Sequence, residues 1–120
     1  MLRREIRKYL FDIAQACELL KRFTAGKALA DYQRDPMLRS AVERQFEIIG
    51  EALRQALRLD PSLSRQITDS GQIIAFRNRL IHAYANVSDG VVWGVLETSL
   101  PALSREVKAL LSEPEPGDTA

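Results

Sequence analysis

Hydrophobic positions recur along the chain with the period of a helix, in three long blocks and one shorter one. In the first block Ile6, Leu10, Ile13, Cys17 and Leu20 follow a 4-3-4-3 spacing, with Tyr9, Ala16 and Phe23 beside them at seven-residue intervals. Side chains three and four apart share one helical face, so this block predicts an amphipathic helix. Gly26 interrupts it in FTAGKA, and a short helical turn is expected over 27–32. Asp35-Pro36 then signals a helix start, because aspartate caps free amides and proline suits the first helical position. Behind it Val42, Phe46, Ile49, Leu53 and Ala56 repeat the stripe. Asp60-Pro61 repeats the device, ending the second long helix and opening a short one. The segment TDSGQ, 68–72, predicts a loop, followed by about three helical turns from Ile73 to Tyr84. Ser88 is placed to cap the last long helix, which turns Val92, Leu96, Leu103, Val107 and Leu110 inward. Pro101 lies inside that pattern and is expected to bend or split it.

Strand signals are nearly absent: no sustained period-two alternation occurs, and no Asn-Gly or Asp-Gly turn joins β-branched runs. The expected fold is all-α, an antiparallel four- to five-helix up-down bundle forming a single domain over residues 1–111. From Ser112 onward the acidic, proline-rich SEPEPGDTA offers nothing to bury and predicts a disordered tail over 112–120. The 120 residues suit one core without staples, since a chain of this size buries roughly two-thirds of its unfolded surface.

Charge narrows the function classes. Seventeen basic and sixteen acidic residues leave a net charge of +1, which argues against a protein that coats nucleic acid through a broad basic surface. A small pocket with a few cations remains open. The single cysteine, Cys17, allows no internal disulfide and reads as a small buried hydrophobe. With one cysteine and one histidine, a structural zinc site within one chain is not expected, and a reducing, cytoplasmic compartment is. No apolar run approaches the roughly 20 residues that cross a bilayer, and MLRREIRKYLFDI lacks the continuous apolar stretch of a secretory signal.

One stretch does not fit the core pattern. RNRLIHAY, 77–84, places an arginine, the only histidine and a tyrosine inside an apolar helical segment. On a wheel of about 100° per residue, Ile73, Phe76, Leu80, Ala83 and Tyr84 form the core stripe, with Ile81 at its flank. Asn78, Arg79 and His82 fall on the polar side. Arg77 lies about 40° from Ile73, on the apolar flank. A guanidinium there must reach water along its stem, meet a carboxylate on a neighbouring helix, or line an interface or cleft. Glu47 and Glu51, one turn apart on the second long helix, are the candidate partners. The plain alternative makes Arg77 a structural ion pair, His82 a surface residue and Tyr84 a core aromatic. Residues five apart sit about 140° apart and about 7.5 Å along the axis. An Arg77–His82 site therefore needs long side chains converging over a cleft, or a second copy of the helix. Arg3, Arg4, Arg7 and Lys8 form a basic cluster that is either solvated or in contact with phosphate or a partner. Trp93 is open between an interface and a core role.

RNRLIHAY resembles the Arg-x4-His-x-Tyr motif of HepT-like proteins in the HEPN ribonuclease superfamily. AVERQFEIIGEAL, 41–53, resembles that family's second-helix signature, and VVWGVLETSLPAL, 91–103, its terminal helix, including the proline. The resemblance spans about residues 3–111. It implies a homodimer in which two motif helices face each other across a cleft, so that Arg77 and His82 of both chains line a shared site. It further implies a toxin of a type VII toxin-antitoxin system, neutralised when a minimal nucleotidyltransferase (MNT) antitoxin transfers AMP to Tyr84.

The residue types suit RNA cleavage without a metal ion or other cofactor, in which the substrate's 2′-hydroxyl attacks the adjacent phosphate. An imidazole with a pKa near about 6.5 serves as general base or acid at neutral pH, an effect of roughly 10²- to 10⁴-fold, which assigns His82. A guanidinium, always charged and planar, holds the extra charge of the transition state, which assigns Arg77. Asn78 is a candidate for orienting substrate or ring, and Glu51 for supporting Arg77. The competing reading is a non-catalytic HEPN partner that binds substrate for a nucleotidyltransferase.

Overall fold

The computed structural model describes residues 2–113; the side chain of Tyr84 is also outside the described set. Five α-helices follow in order: α1 (Arg4–Thr24), α2 (Leu29–Arg34), α3 (Pro36–Leu59), α4 (Ser70–His82) and α5 (Asp89–Leu111). There is no strand among the described residues, so the all-α expectation holds. The periodic positions are the buried ones. Ile6, Leu10, Ile13, Cys17 and Leu20 of α1 meet Val42, Phe46, Ile49, Leu53 and Ala56 of α3, and Val92, Leu96, Leu103, Val107 and Leu110 of α5.

Side chains fix the relative directions of the long helices. Arg3, just before α1, donates to the carbonyl oxygen of Leu59 at the end of α3. Arg7 donates to the carbonyls of Leu111 (2.9 Å) and Glu113 (3.0 Å) at the end of α5. The start of α1 thus satisfies the last carbonyls of both long neighbours, which lack partners within their own helices, and α1 runs antiparallel to each. Two members of the basic cluster are therefore occupied with the fold.

Both aspartate-proline signals work as expected. Asp35 accepts from the amides of Met37 (3.0 Å) and Leu38 (3.1 Å), and Asp60 accepts from Ser62 (3.1 Å). The second of these starts a 3-10 turn, Pro61–Arg65, rather than an α-helix. Ser88 accepts from the Val91 amide (3.1 Å) to cap α5. Pro101 lies inside α5 without splitting it.

Two boundaries differ from the sequence reading, and both concern the motif helix. α4 begins at Ser70, not Ile73, because Asp69 adopts a left-handed conformation (φ 59°) and its carbonyl accepts from Ile73 (3.0 Å). Aspartate tolerates that region better than most residues. Glu106 of α5 anchors the turn before it, accepting from the Thr68 amide (3.0 Å) and hydroxyl (2.6 Å). At the other end Ala83 leaves helical geometry (φ −144°, ψ 36°) and Tyr84–Asn86 form a 3-10 turn. The wheel therefore does not extend to Tyr84, whose expected core or modified role concerns a side chain outside the described residues. Of the tail expected from Ser112, residues 114–120 also lie outside them.

No helix among the described residues is long and apolar enough to cross a membrane.

Candidate functional site

Arg77 sits where α4 crosses α3, and the crossing depends on a glycine. A Cβ added at Gly50 would lie 2.2 Å from Arg77 Cβ and 2.5 Å from Arg77 Cγ. Only a residue without a side chain lets the arginine stem lie directly on the α3 backbone. The stem is buried against that backbone, and the guanidinium emerges beside the next residue, Glu51. Arg77 Nη2 lies 3.1 Å from Glu51 Oε2, and Nη1 donates to Asn78 Oδ1 at 2.9 Å. Nε is buried and has no acceptor among the described residues. The arginine has five N–H donors; one goes to Asn78, and beyond that bond and the Glu51 ion pair the terminal nitrogens keep spare donors among the described residues.

Glu51 is held as firmly as the group it holds. It accepts from Arg54 Nη2 (2.9 Å) and Gln55 Nε2 (3.0 Å). Those hydrogen bonds, Arg54's foremost, then the charges of Arg54 and Arg77, keep its carboxyl below the usual carboxylate range. Glu51 therefore stays ionised at neutral pH and fixes the position of a cation that would otherwise sweep many rotamers.

The guanidinium borders a cleft of about 300 Å³ between α1, α3 and α4, lined by Tyr9, Asp12, Arg44, Glu47, Ile48, Glu51, Ala52, Arg77 and Ile81. Glu47, the other candidate partner, lies 3.5 Å from Arg44 instead of reaching Arg77. Within one chain three carboxylates face two guanidiniums, so the cleft is slightly acidic. It does not attract phosphate on its own.

His82 is the last residue of α4 and is exposed. It does not line this cleft. Among the described residues nothing bonds its imidazole. A single chain thus brings Arg77, Asn78 and Glu51 together and leaves His82 apart, as the five-residue spacing requires on a regular helix. Asn78 touches Arg77, not His82.

Trp93 is a core residue, 8% exposed, with its ring centroid 5.5 Å from that of the buried Tyr32. Two features escaped the sequence reading. Gly50 carried a signal, a glycine inside an otherwise unbroken helical stripe, which marks a close approach. Phe11, 53% exposed, and Ile81, 37% exposed, lie off the core stripes and leave an uncovered apolar edge beside the Arg77 cleft.

A family model described as "Ribonuclease HepT-like" matches residues 13–110. A protein of Thermococcus cleftensis named "Probable ribonuclease HepT" is 33% identical over 113 residues, 91% of this chain and 98% of that protein. A protein of Caldanaerobacter subterraneus subsp. tengcongensis named as a putative RNase is 32% identical over 107 residues, 89% of this chain and 95% of its own length. No solved structure matches significantly. The chain belongs to the ribonuclease HepT-like family.

Proposed function

We propose that this chain is a metal-independent endoribonuclease that acts as a homodimer, the toxin of a type VII toxin-antitoxin pair. The observation that carries this reading is the setting of Arg77. A cation is laid across a glycine and clamped between Glu51 and Asn78, with spare donors, at the border of an apolar edge that one chain leaves uncovered. Ile81 and Ile48 line the Arg77 cleft, and Ile48 continues into a neighbouring cleft that Phe11 lines. A second copy seated there buries this edge and brings its own His82 toward the first copy's Arg77. Such self-complementary contact is the usual form of a two-fold dimer.

In the shared site His82 takes the proton from the RNA 2′-hydroxyl or gives one to the departing 5′-oxygen. Arg77 donates its free Nη hydrogens to the equatorial oxygens of the phosphorane-like transition state. The products are a 2′,3′-cyclic phosphate and a 5′-hydroxyl. An MNT-type nucleotidyltransferase antitoxin silences the enzyme by transferring AMP from ATP to the Tyr84 hydroxyl, with release of pyrophosphate. The added phosphate charge and bulk, two residues from His82, compete with RNA.

RNA oligonucleotides incubated with the protein in a chelator test the reaction. The expected result is cleavage with cyclic-phosphate ends, lost in His82→Ala while the melting temperature stays unchanged. Equal cleavage by wild type and His82→Ala would remove the imidazole from the mechanism. Intact mass after incubation with the nucleotidyltransferase and ATP tests the tyrosine: AMP added to Tyr84→Phe places the modification elsewhere. The second reading, a non-catalytic substrate-binding partner of a nucleotidyltransferase, draws on the neutralisation of Arg77 by Glu51 within one chain. It predicts that wild type and His82→Ala affect cell growth alike, whereas the nuclease reading predicts arrest by wild type alone.

A further inference from the structure

A second cleft, of about 450 Å³, opens between α1 and α5. It shares no lining residue with the Arg77 cleft. We propose that it binds a small amphiphile with one anionic head, of the class of medium-chain carboxylates. The inference does not rest on the nuclease reading.

The floor is apolar and comes mostly from one face of α5, Leu96 and Leu100, with Cys17 of α1 opposite and the exposed Pro101 at the edge. Cys17 contributes shape, not reactivity, because burial pushes its thiol up to about 12. Ser104 is 6% exposed and lines the cleft. Its hydroxyl is a polar group on an otherwise apolar wall, able to donate to a ligand head group.

The rim decides the sign of the head group. Lys21, Arg105 and Lys108 surround the opening. Glu18 is the carboxylate that answers them, paired with Lys108 and 3.9 Å from Lys21. Arg105 has no ion pair among the described residues. The rim therefore keeps surplus positive charge over a greasy floor, which fits a chain with an acid at one end. A sugar or other polyol would leave most of its hydroxyls unpaired against the leucines. The volume falls in the range of small-molecule sites, about 300–1,000 Å³.

The test titrates decanoate into the full-length protein by calorimetry, below the concentration at which the probe self-associates. Saturable binding of one decanoate per chain is expected. Decanol, the same chain without charge, should bind roughly tenfold more weakly, the factor one charge-assisted hydrogen bond supplies. Butyrate, which keeps the charge and loses most of the chain, should not bind measurably. Arg105→Gln changes an exposed side chain and should weaken decanoate about as much as removing the head group does. Ser104→Leu fills the floor and should abolish binding; should it fail to fold, Arg105→Gln decides alone. Absence of saturable decanoate binding, decanol binding as tightly as decanoate, or unchanged affinity in Arg105→Gln overturns the proposal.

Discussion

Replacing Gly50 by alanine isolates the contact on which the Arg77 site is built. The new methyl carbon would stand 2.2 Å from Arg77 Cβ and 3.3 Å from its Cδ. Carbon atoms in contact prefer about 3.5–4.0 Å, so α3 and α4 must part by more than about 1 Å or the arginine must leave. Overpacking of this kind costs about 1–3 kcal/mol. Against it stands the gain of about 1 kcal/mol that alanine brings over glycine inside a helix. The net expectation is a loss of about 0–2 kcal/mol, which alone would be hard to interpret.

Gly94 supplies the control. It lies inside α5, and a Cβ there meets nothing within 4 Å. Gly94→Ala should show the propensity gain undiluted, so the two variants should differ by the whole clash of about 1–3 kcal/mol. Urea denaturation with equal slopes reads that difference directly. RNA cleavage should suffer more than stability does. Displacing the guanidinium from Glu51 by about 1 Å is enough to lower activity about 100-fold. If Gly50→Ala stabilises as much as Gly94→Ala and cleaves RNA as wild type does, the arginine does not depend on that glycine and the account of the site fails.

Four further outcomes follow from the same structure. Tyr32→Phe should raise stability by about 1 kcal/mol, because it keeps the ring against Trp93 and removes a buried hydroxyl without a partner; a lower melting temperature would reveal a hidden acceptor. Cys17, buried and with its thiol pushed up to about 12, should resist alkylation at about pH 8 until the protein is denatured, and rapid labelling of the native chain would contradict its burial. Glu51→Ala should cut cleavage about tenfold by loosening Arg77, whereas Glu51→Gln, which keeps an acceptor, should retain most of it; equal activity in both would make the clamp irrelevant. The depressed pKa of Glu51 also sets a pH dependence. Its contribution to stability is present above the ordinary value of 4.5 and fades as pH falls through the lower folded value. Glu51→Gln should therefore flatten the acid limb of a stability-against-pH curve, and an unchanged limb would show that Glu51 adds nothing there.

The core was legible because burial and helical period are the same signal. Every position of the three long stripes, from Ile6 to Leu110, is inside. The capping residues Asp35, Asp60 and Ser88 were equally readable, since each acts on amides two or three residues away. What failed depends on contacts distant in sequence. TDSGQ reads as a loop by composition, yet Glu106, thirty-eight residues beyond Thr68, anchors it so that α4 can begin at Ser70. The helix pattern runs smoothly into Tyr84, and only the turn needed to reach the Ser88 cap ends it at His82. Arg77 was recognisable as misplaced from its angle on a regular helix, and Glu47 and Glu51 as candidate partners; only the packing of the two helices selects Glu51. That its stem lies on Gly50 was not recognisable: a glycine within the stripe marks a close approach, but no period in either helix says which residue of the other meets it.

In the proposed dimer Arg77 of one copy works with His82 of another. Mixing the Arg77→Ala and His82→Ala variants puts that arrangement to the test. Neither should cleave RNA alone, and together they should recover cleavage, because the mixed dimer holds one intact guanidinium facing one intact imidazole. A mixture that exchanges subunits yet stays as inert as its parts would contradict the shared site.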